Sequence, residues 1–278
     1  MLRASDVNPS EHADQAVSDY REFRPSRALA EYLLCFWTQT VGPRVEFPQR
    51  VLPDCCVDVL LINDVPVVVG PWTEPFVAAL APGTNIVGAR CHPGLASSLL
   101  RLPASDLLNR TVLLRDVWTR PETDRFERIA ELPGLSRRMS AMETALLGRV
   151  ANASPIDNPM RAAIQWIARH PQGRVEQLSQ WLGLSRRQIQ RRFTMAVGYG
   201  PKLFQSVLRF QRLLYLASDR GFRRSLAHLA ANADYADQAH MTREVRRFSG
   251  EPPSMLLQSS RCTLRFSGLI VGADALDR

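Results

Sequence analysis

A 52-residue internal repeat limits most strongly what this chain can fold into. Ser185, Ile189, Arg191 and Phe193 recur as Asp237, Met241, Arg243 and Val245, matched in spacing and residue class. Each copy has the same layout: a short apolar-periodic stretch, a breaking turn, then a longer stretch. In the first, Leu178, Leu182, Leu184, Ile189 and Phe193 share an inward face. In the second, Leu229, Ala233, Tyr235, Met241 and Val245 do. Residues three and four apart fall on one side of a helix. Each copy is therefore predicted to be a helix-turn-helix unit with its own small three-helix core. The outward face of each longer helix is left without an apolar partner.

The boundaries follow from caps and breakers. Asn158 can cap a helix running from Met160 to His170, with Pro159 at its first position. A second helix runs from about Val175 to Leu182 and breaks at Gly183. Ser185 and Gln188 form an S-x-x-Q capping box that opens the third. A long fourth helix, Pro201 to about Asp219, spaces the two units. Leu226 to Ala233 and Asp237 to Ser249 complete the second unit, and Pro252-Pro253 stops it.

The outward faces are basic. The first longer helix offers Arg186, Arg187, Gln190 and Arg191, with Arg192 further round; the second offers Gln238, His240, Thr242, Arg243, Arg246 and Arg247. Arginine bonds guanine and glutamine bonds adenine in a bidentate manner in the major groove, and helix N-termini favour phosphate. Two such helices held rigidly can enter successive major grooves about 34 Å apart. Charge agrees in sign. Residues 160–261 carry 17 Lys+Arg and 6 Asp+Glu, a net of +11, whereas the rest carries 18 and 21, a net of −3. That asymmetry points to a C-terminal domain facing a polyanion. Lys202 is the only lysine, so the other 34 basic residues are arginine. A GC-rich genome accounts for that preference, and it says nothing of phosphate binding.

Residues 160 to 257 resemble the DNA-binding domain of the AraC/XylS family of bacterial transcription regulators. The matching text is L-G-L-S-R-R-Q-I-Q-R-R-F from Leu182 and Y-A-D-Q-A-H-M-T-R-E-V-R-R-F-S-G-E-P-P-S from Tyr235. The resemblance implies a monomeric seven-helix domain with two helix-turn-helix units on a linker helix. It implies base contacts from Arg187, Gln190 and Arg191, with Gln238, Ala239, Thr242 and Arg243 at the corresponding positions. Asp234 stands where the family usually has a turn glycine, at a cost of roughly 1 kcal/mol. The second unit is thus expected to be less stable or differently turned.

The N-terminal text is different in kind. Short apolar runs alternate with proline and glycine: Leu33 to Trp37, Val57 to Ile62, Val65 to Val69, Phe76 to Leu80, Ile86 to Ala89. They predict a β-rich sandwich or small barrel. Ser26 to Tyr32 is expected as a short helix capped by Ser26. Helical signals return with a short helix at Pro103 to Asp106, then Thr123 to Glu131 and Ser136 to Val150. The whole is an α+β chain: a disordered N-terminus 1–17, a β-rich sensor or dimerisation domain 18–150, a linker 151–159, the DNA-binding domain 160–260 and a tail 261–278. Thr263 to Val271 in that tail has strand-like content. R-P-S (Arg24 to Ser26), R-V-L-P-D-C-C-V-D (Arg50 to Asp58), V-V-G-P (Val68 to Pro71) and G-A-R-C-H-P-G (Gly88 to Gly94) resemble an uncharacterised sensor-type domain on one branch of the same family. That branch usually reads D-G-C-V-D, so Cys55 replaces a glycine.

Other classes find less footing. No apolar stretch reaches the roughly 18 residues of a membrane span. No signal peptide opens the chain, so it is expected in the cytoplasm with Cys35, Cys55, Cys56, Cys91 and Cys262 as reduced thiols. Cys55 or Cys56 with Cys91 and His92 would make a soft-metal or thiol-sensing site, against the plainer reading of small core residues. Asp54, Asp58 and His92 with a cysteine would make a hydrolytic site, but no nucleophile, base and orienting group stand at diagnostic spacing. The reading is a sequence-specific transcription regulator, not an enzyme, with no cofactor and no metal. Its partners are double-stranded promoter DNA, RNA polymerase, a small-molecule effector and a second copy of the chain, and no membrane. The rival within the class is a nucleoid-type protein that binds phosphate alone.

Overall fold

The computed structural model describes residues 18–218 and 225–257. The sequence expectations for residues 1–17 and for the tail 261–278, including Thr263 to Val271 and Cys262, lie outside the described residues.

Central strands rich in valine, leucine and aromatic residues bury both faces, and such strands read as continuous apolar runs. Here β2 (Leu33–Val41), β4 (Asp58–Ile62), β5 (Val65–Val69) and β7 (Asn85–Cys91) are of that kind. With β1 (Ser18–Phe23) and β8 (Thr111–Leu113) they form an antiparallel sheet in the order β1-β2-β7-β4-β5-β8. The strands β3 (Phe47–Val51) and β6 (Phe76–Leu80) pair as a separate antiparallel ribbon. The two-residue period divides each central strand between two cores. Val59 and Leu61 of β4 join Phe36, Val87 and Ala89 under a helical layer. Leu60 of β4 joins Cys35, Trp37 and Ile86 against Phe47 and Leu80 of the ribbon.

The helical layer comprises α1 (Ala96–Leu100), α2 (Arg120–Ala130) and α3 (Leu135–Val150). Buried Arg149 ties all three together. It donates to the Leu99 and Leu100 carbonyls at 2.9 and 3.1 Å, pairs with Glu122, and lies 4.9 Å from the Trp118 ring centre. A buried charge with every direction satisfied costs far less than an orphaned one.

The C-terminal region is helical: α4 (Asn158–Arg169), α5 (Val175–Leu182), α6 (Arg186–Val197), α7 (Pro201–Ser218), α8 (Leu226–Asn232) and α9 (Gln238–Ser249). Two separate small cores were expected. Instead, one apolar cluster runs through it, because α7 buries Phe204 and Val207 towards the first unit and Phe210, Leu213 and Leu214 towards the second. Phe193 meets Phe204 edge-on at 5.3 Å, and Phe248 lies 5.4 Å from Phe210.

Three local expectations need correction. Ser26 to Tyr32 is a pair of tight turns, with Leu29 and Ala30 amides on the Ser26 carbonyl, and not a helix. The cap of α4 is Asp157, whose carboxylate accepts from the Met160 amide at 3.1 Å, and not Asn158. Helical structure resumes at 253–257, with the second proline of the pair as its first residue.

The two halves meet along a close seam. The loop 53–56 reaches into the helical region, where Cys55 joins its apolar cluster beside Tyr199. Gln211 of α7 donates to the Pro53 carbonyl at 2.5 Å, and Arg50 pairs with Glu251. Gly198, which ends α6 at φ 100°, lies so near Pro71 that a Cβ there would stand 2.6 Å from the ring. Arg161 and Glu31 add a pair at 2.6 Å.

Candidate nucleic-acid interface

In the first unit, Gly183 turns the chain at φ 64°, a left-handed conformation open to glycine. Ser179 donates to the Leu184 carbonyl at 2.5 Å and fixes the turn. The capping box forms: Gln188 accepts from the Ser185 amide at 2.9 Å, and Ser185 Oγ accepts from the Gln188 amide at 3.3 Å. Ile189 and Phe193 are fully buried, which aims the opposite face at solvent. Arg186, Arg187, Gln190 and Arg191 are all exposed there. They are not equally free. Arg186 pairs with Glu176 at 2.8 Å, and that carboxyl is held below its usual range first by the Glu176 backbone amide and then by the arginine's bond. Arg192, further round, is held by Asp157 through two bonds of 2.9 and 2.5 Å. Gln190 reaches Thr194 at 3.4 Å. Arg187 and Arg191 have no acidic partner among the described residues.

The second unit has the same form. Asp234 takes φ 61°, so the turn keeps the geometry a glycine would give it. Its carboxylate pairs with Arg212 of α7 at 2.6 Å, which offsets part of the backbone cost. The turn thus stands in the same left-handed region as Gly183 of the first unit. Asp237 caps α9 by accepting from the His240 amide at 2.6 Å. Met241, Val245 and Phe248 are fully buried. Gln238, Ala239, Arg243, Arg246 and Arg247 face solvent. His240 and Thr242 are more constrained than the sequence suggests. His240 packs edge-on to Tyr235 at 5.3 Å, with Nε2 3.5 Å from Glu244. Thr242 donates its hydroxyl to the Gln238 carbonyl at 2.8 Å.

The residues considered for a metal, thiol or hydrolytic site have other employment. Arg90 binds Asp58 through two bonds of 3.0 and 2.9 Å and has Asp54 at 3.7 Å. Asp54 also accepts from the Cys56 amide at 3.0 Å, which shapes the loop. A His92 ring nitrogen lies 3.3 Å from the Ala30 carbonyl. Cys55, Cys56 and Cys91 are fully buried, and desolvation pushes their thiols well above the ordinary range. Among the described residues no three His, Cys, Asp or Glu side chains converge as metal ligands would.

Comparison with known proteins agrees with this geometry. Residues 178–259 match a family described as a helix-turn-helix domain. Residues 21–113 match a domain of unknown function, DUF6597. No match was found among curated proteins. Among solved structures, apo ToxT K231A from Vibrio cholerae strain SCE256 aligns at a TM-score of 0.42 and 8% identity, over 87% of this chain and 97% of that one. A 1.65 Å structure of ToxT from Vibrio cholerae aligns at 0.40 and 10% identity, over 87% and 98%. The family match and the exposed basic faces of α6 and α9 together define a helix-turn-helix domain of the DNA-binding class. The chain carries a helix-turn-helix domain at its C-terminal end behind an N-terminal domain of unknown function. No helix among the described residues is long and apolar enough to cross a membrane.

Proposed function

We propose that the chain reads a specific promoter sequence with two helices and that its N-terminal domain governs how they are presented. The exposed face of α6 carries this reading, since Arg187 and Arg191 project beside Gln190 without acidic partners among the described residues. These groups suit the major-groove edges of guanine and adenine. Gln238 and Arg243 hold the matching positions on α9. Because Ala239 offers a methyl and the Thr242 hydroxyl is already bonded, α9 contributes less base discrimination than α6. RNA polymerase, a small-molecule effector and a second copy are the further partners of this reading.

The coupling would run through the seam. The C-terminal half of α6 packs on α1 and on the 3-10 turn Ala104–Leu107, so a shift in the N-terminal domain tilts the helix that reads DNA. Selection of random duplexes at about 150 mM salt is the test. Two short boxes about one helical turn apart are expected, the α6 box being the better defined. Arg191→Ala should cost about 1–3 kcal/mol on the selected site and far less on random DNA. Equal losses on both, with no enriched sequence, would leave the phosphate-only reading in its place.

A further inference from the structure

A cleft of about 540 Å³ lies along one flank of α6. Gln188, Arg191 and Arg192 of α6 line it together with Ser97 and Arg101 from α1 and its end, and with Asp157. Three arginines and one aspartate thus line it. That carboxylate is already taken, by Arg192 through its two bonds. Arg101 and Arg191 remain without an acidic partner among the described residues, so the cleft has a net positive charge suited to an anion.

Among the described residues Arg101 makes no side-chain hydrogen bond or ion pair that would explain its presence. It ends α1 in the left-handed region at φ 60°, a position that favours glycine over any side chain. An arginine there would ordinarily serve the last helical carbonyls. Those of Leu99 and Leu100 are already served by Arg149. The Arg101 side chain is exposed and lines the cleft instead. A backbone outlier without a folding role points to use of the side chain.

The place of the cleft suggests what the anion is. A helix about 10–12 Å across fills a major groove about 12 Å wide, so whatever stands beside its flank meets the sugar–phosphate strand. We infer that Arg101 of the N-terminal domain binds a DNA backbone phosphate next to Arg191, making that domain part of the DNA interface. The inference rests on the proposed entry of α6 into the groove. A free phosphate-bearing molecule has the same chemistry and is separated from DNA by the test.

The test uses the full chain with Arg101→Ala and Arg101→Lys, on the selected site and on a random duplex, from about 50 to 300 mM salt. Arg101 is exposed, so neither variant should lower the unfolding temperature. Arg101→Ala should weaken binding about tenfold on both duplexes and reduce the log–log salt slope by about 0.9, and Arg101→Lys should restore most of the slope. Unchanged affinity and slope would overturn the proposal. So would a loss confined to the selected site, which would make Arg101 a positioning residue for Arg191. Inorganic phosphate at constant ionic strength supplies the other arm. If it competes with DNA for the wild-type chain but not for Arg101→Ala, with the same slope in both, the cleft is a free-anion site and the backbone contact is wrong. Failure of base reading would show separately, as equal losses for Arg191→Ala on both duplexes, and would leave the Arg101 slope on random DNA as an independent result.

Discussion

Two residues with positive φ carry much of the information at the smallest scale. Asp234 and Cys55 adopt φ 61° and 67°. Both stand where resemblance leads one to expect glycine, so the sequence marked both bends before any coordinates. What the sequence could not reveal is how each residue is compensated. Asp234 gains an ion pair with Arg212, a partner on another helix. Cys55 gains burial beside Tyr199, across the seam. The thiols lead to a prediction. Cys55, Cys56 and Cys91 stay protonated in the fold, whereas unfolded thiols ionise near pH 8.5. Above that pH the unfolded state binds fewer protons, so stability falls as pH rises. The loss should approach roughly 1.4 kcal/mol per pH unit for each thiol between about pH 8.5 and 10. Denaturant melts across that range, with and without Cys56→Ser, would measure it. A flat profile would mean that these thiols are hydrated. Native protein at pH 8 should also withhold all three from a thiol reagent until it unfolds.

Among elements, legibility followed periodicity and capping. The helices α5 and α9 have their expected ends to within a residue and α6 its expected start, because each joins an apolar stripe to a cap or a breaking glycine. The strands β4 to β7 were visible as apolar runs between turn residues. β1 was not, since S-D-Y-R-E-F is mostly exposed and joins the sheet only through β2. β3 interrupts its apolar residues with P-Q-R, and β8 is only three residues long, so neither shows as an apolar run. Ser26 to Tyr32 has helix-forming residues but is drawn into turns that carry the chain from β1 to β2. The exposed residues of α6 were legible from its buried stripe, but Arg101 was not, because it neighbours Arg191 only once the chain is folded. The α6 cap can be tested directly. Ser185→Ala removes the acceptor for the Gln188 amide and should cost about 1 kcal/mol by thermal unfolding. The first turn, bearing Arg186 and Arg187, should fray, and affinity for the selected site should drop. Unchanged stability would show that the Gln188 side chain alone holds the helix start.

At the scale of the whole molecule, charge and packing divide the labour. The C-terminal region provides the cationic face, and the N-terminal domain, with 15 Lys+Arg and 15 Asp+Glu over residues 18–150, is neutral on balance and packs against it. Gly198 sits where the two press closely together. A side chain there suffers both φ 100° and collision with Pro71 and the Ala104 carbonyl, 2.6 and 3.2 Å from a Cβ. Gly198→Val should destabilise the chain by roughly 1–3 kcal/mol. It should also raise amide exchange on both sides of the seam, around residues 104–107 and 198–204. Exchange rising on one side alone would mean that the halves are less coupled than their packing implies.

The loop 53–56 also bears on how such chains can be recombined. Cys55 occupies the interior of the helical region as one of its own core residues, and Gln211 completes its bonding on the Pro53 carbonyl. The helical region is therefore not a cassette that can be cut out and joined to another sensor at will. Excised, it would have a hole beside Tyr199 and a stranded amide on α7. A working chimera would need a donor that brings its own plug of matching size, so the halves are expected to be inherited together.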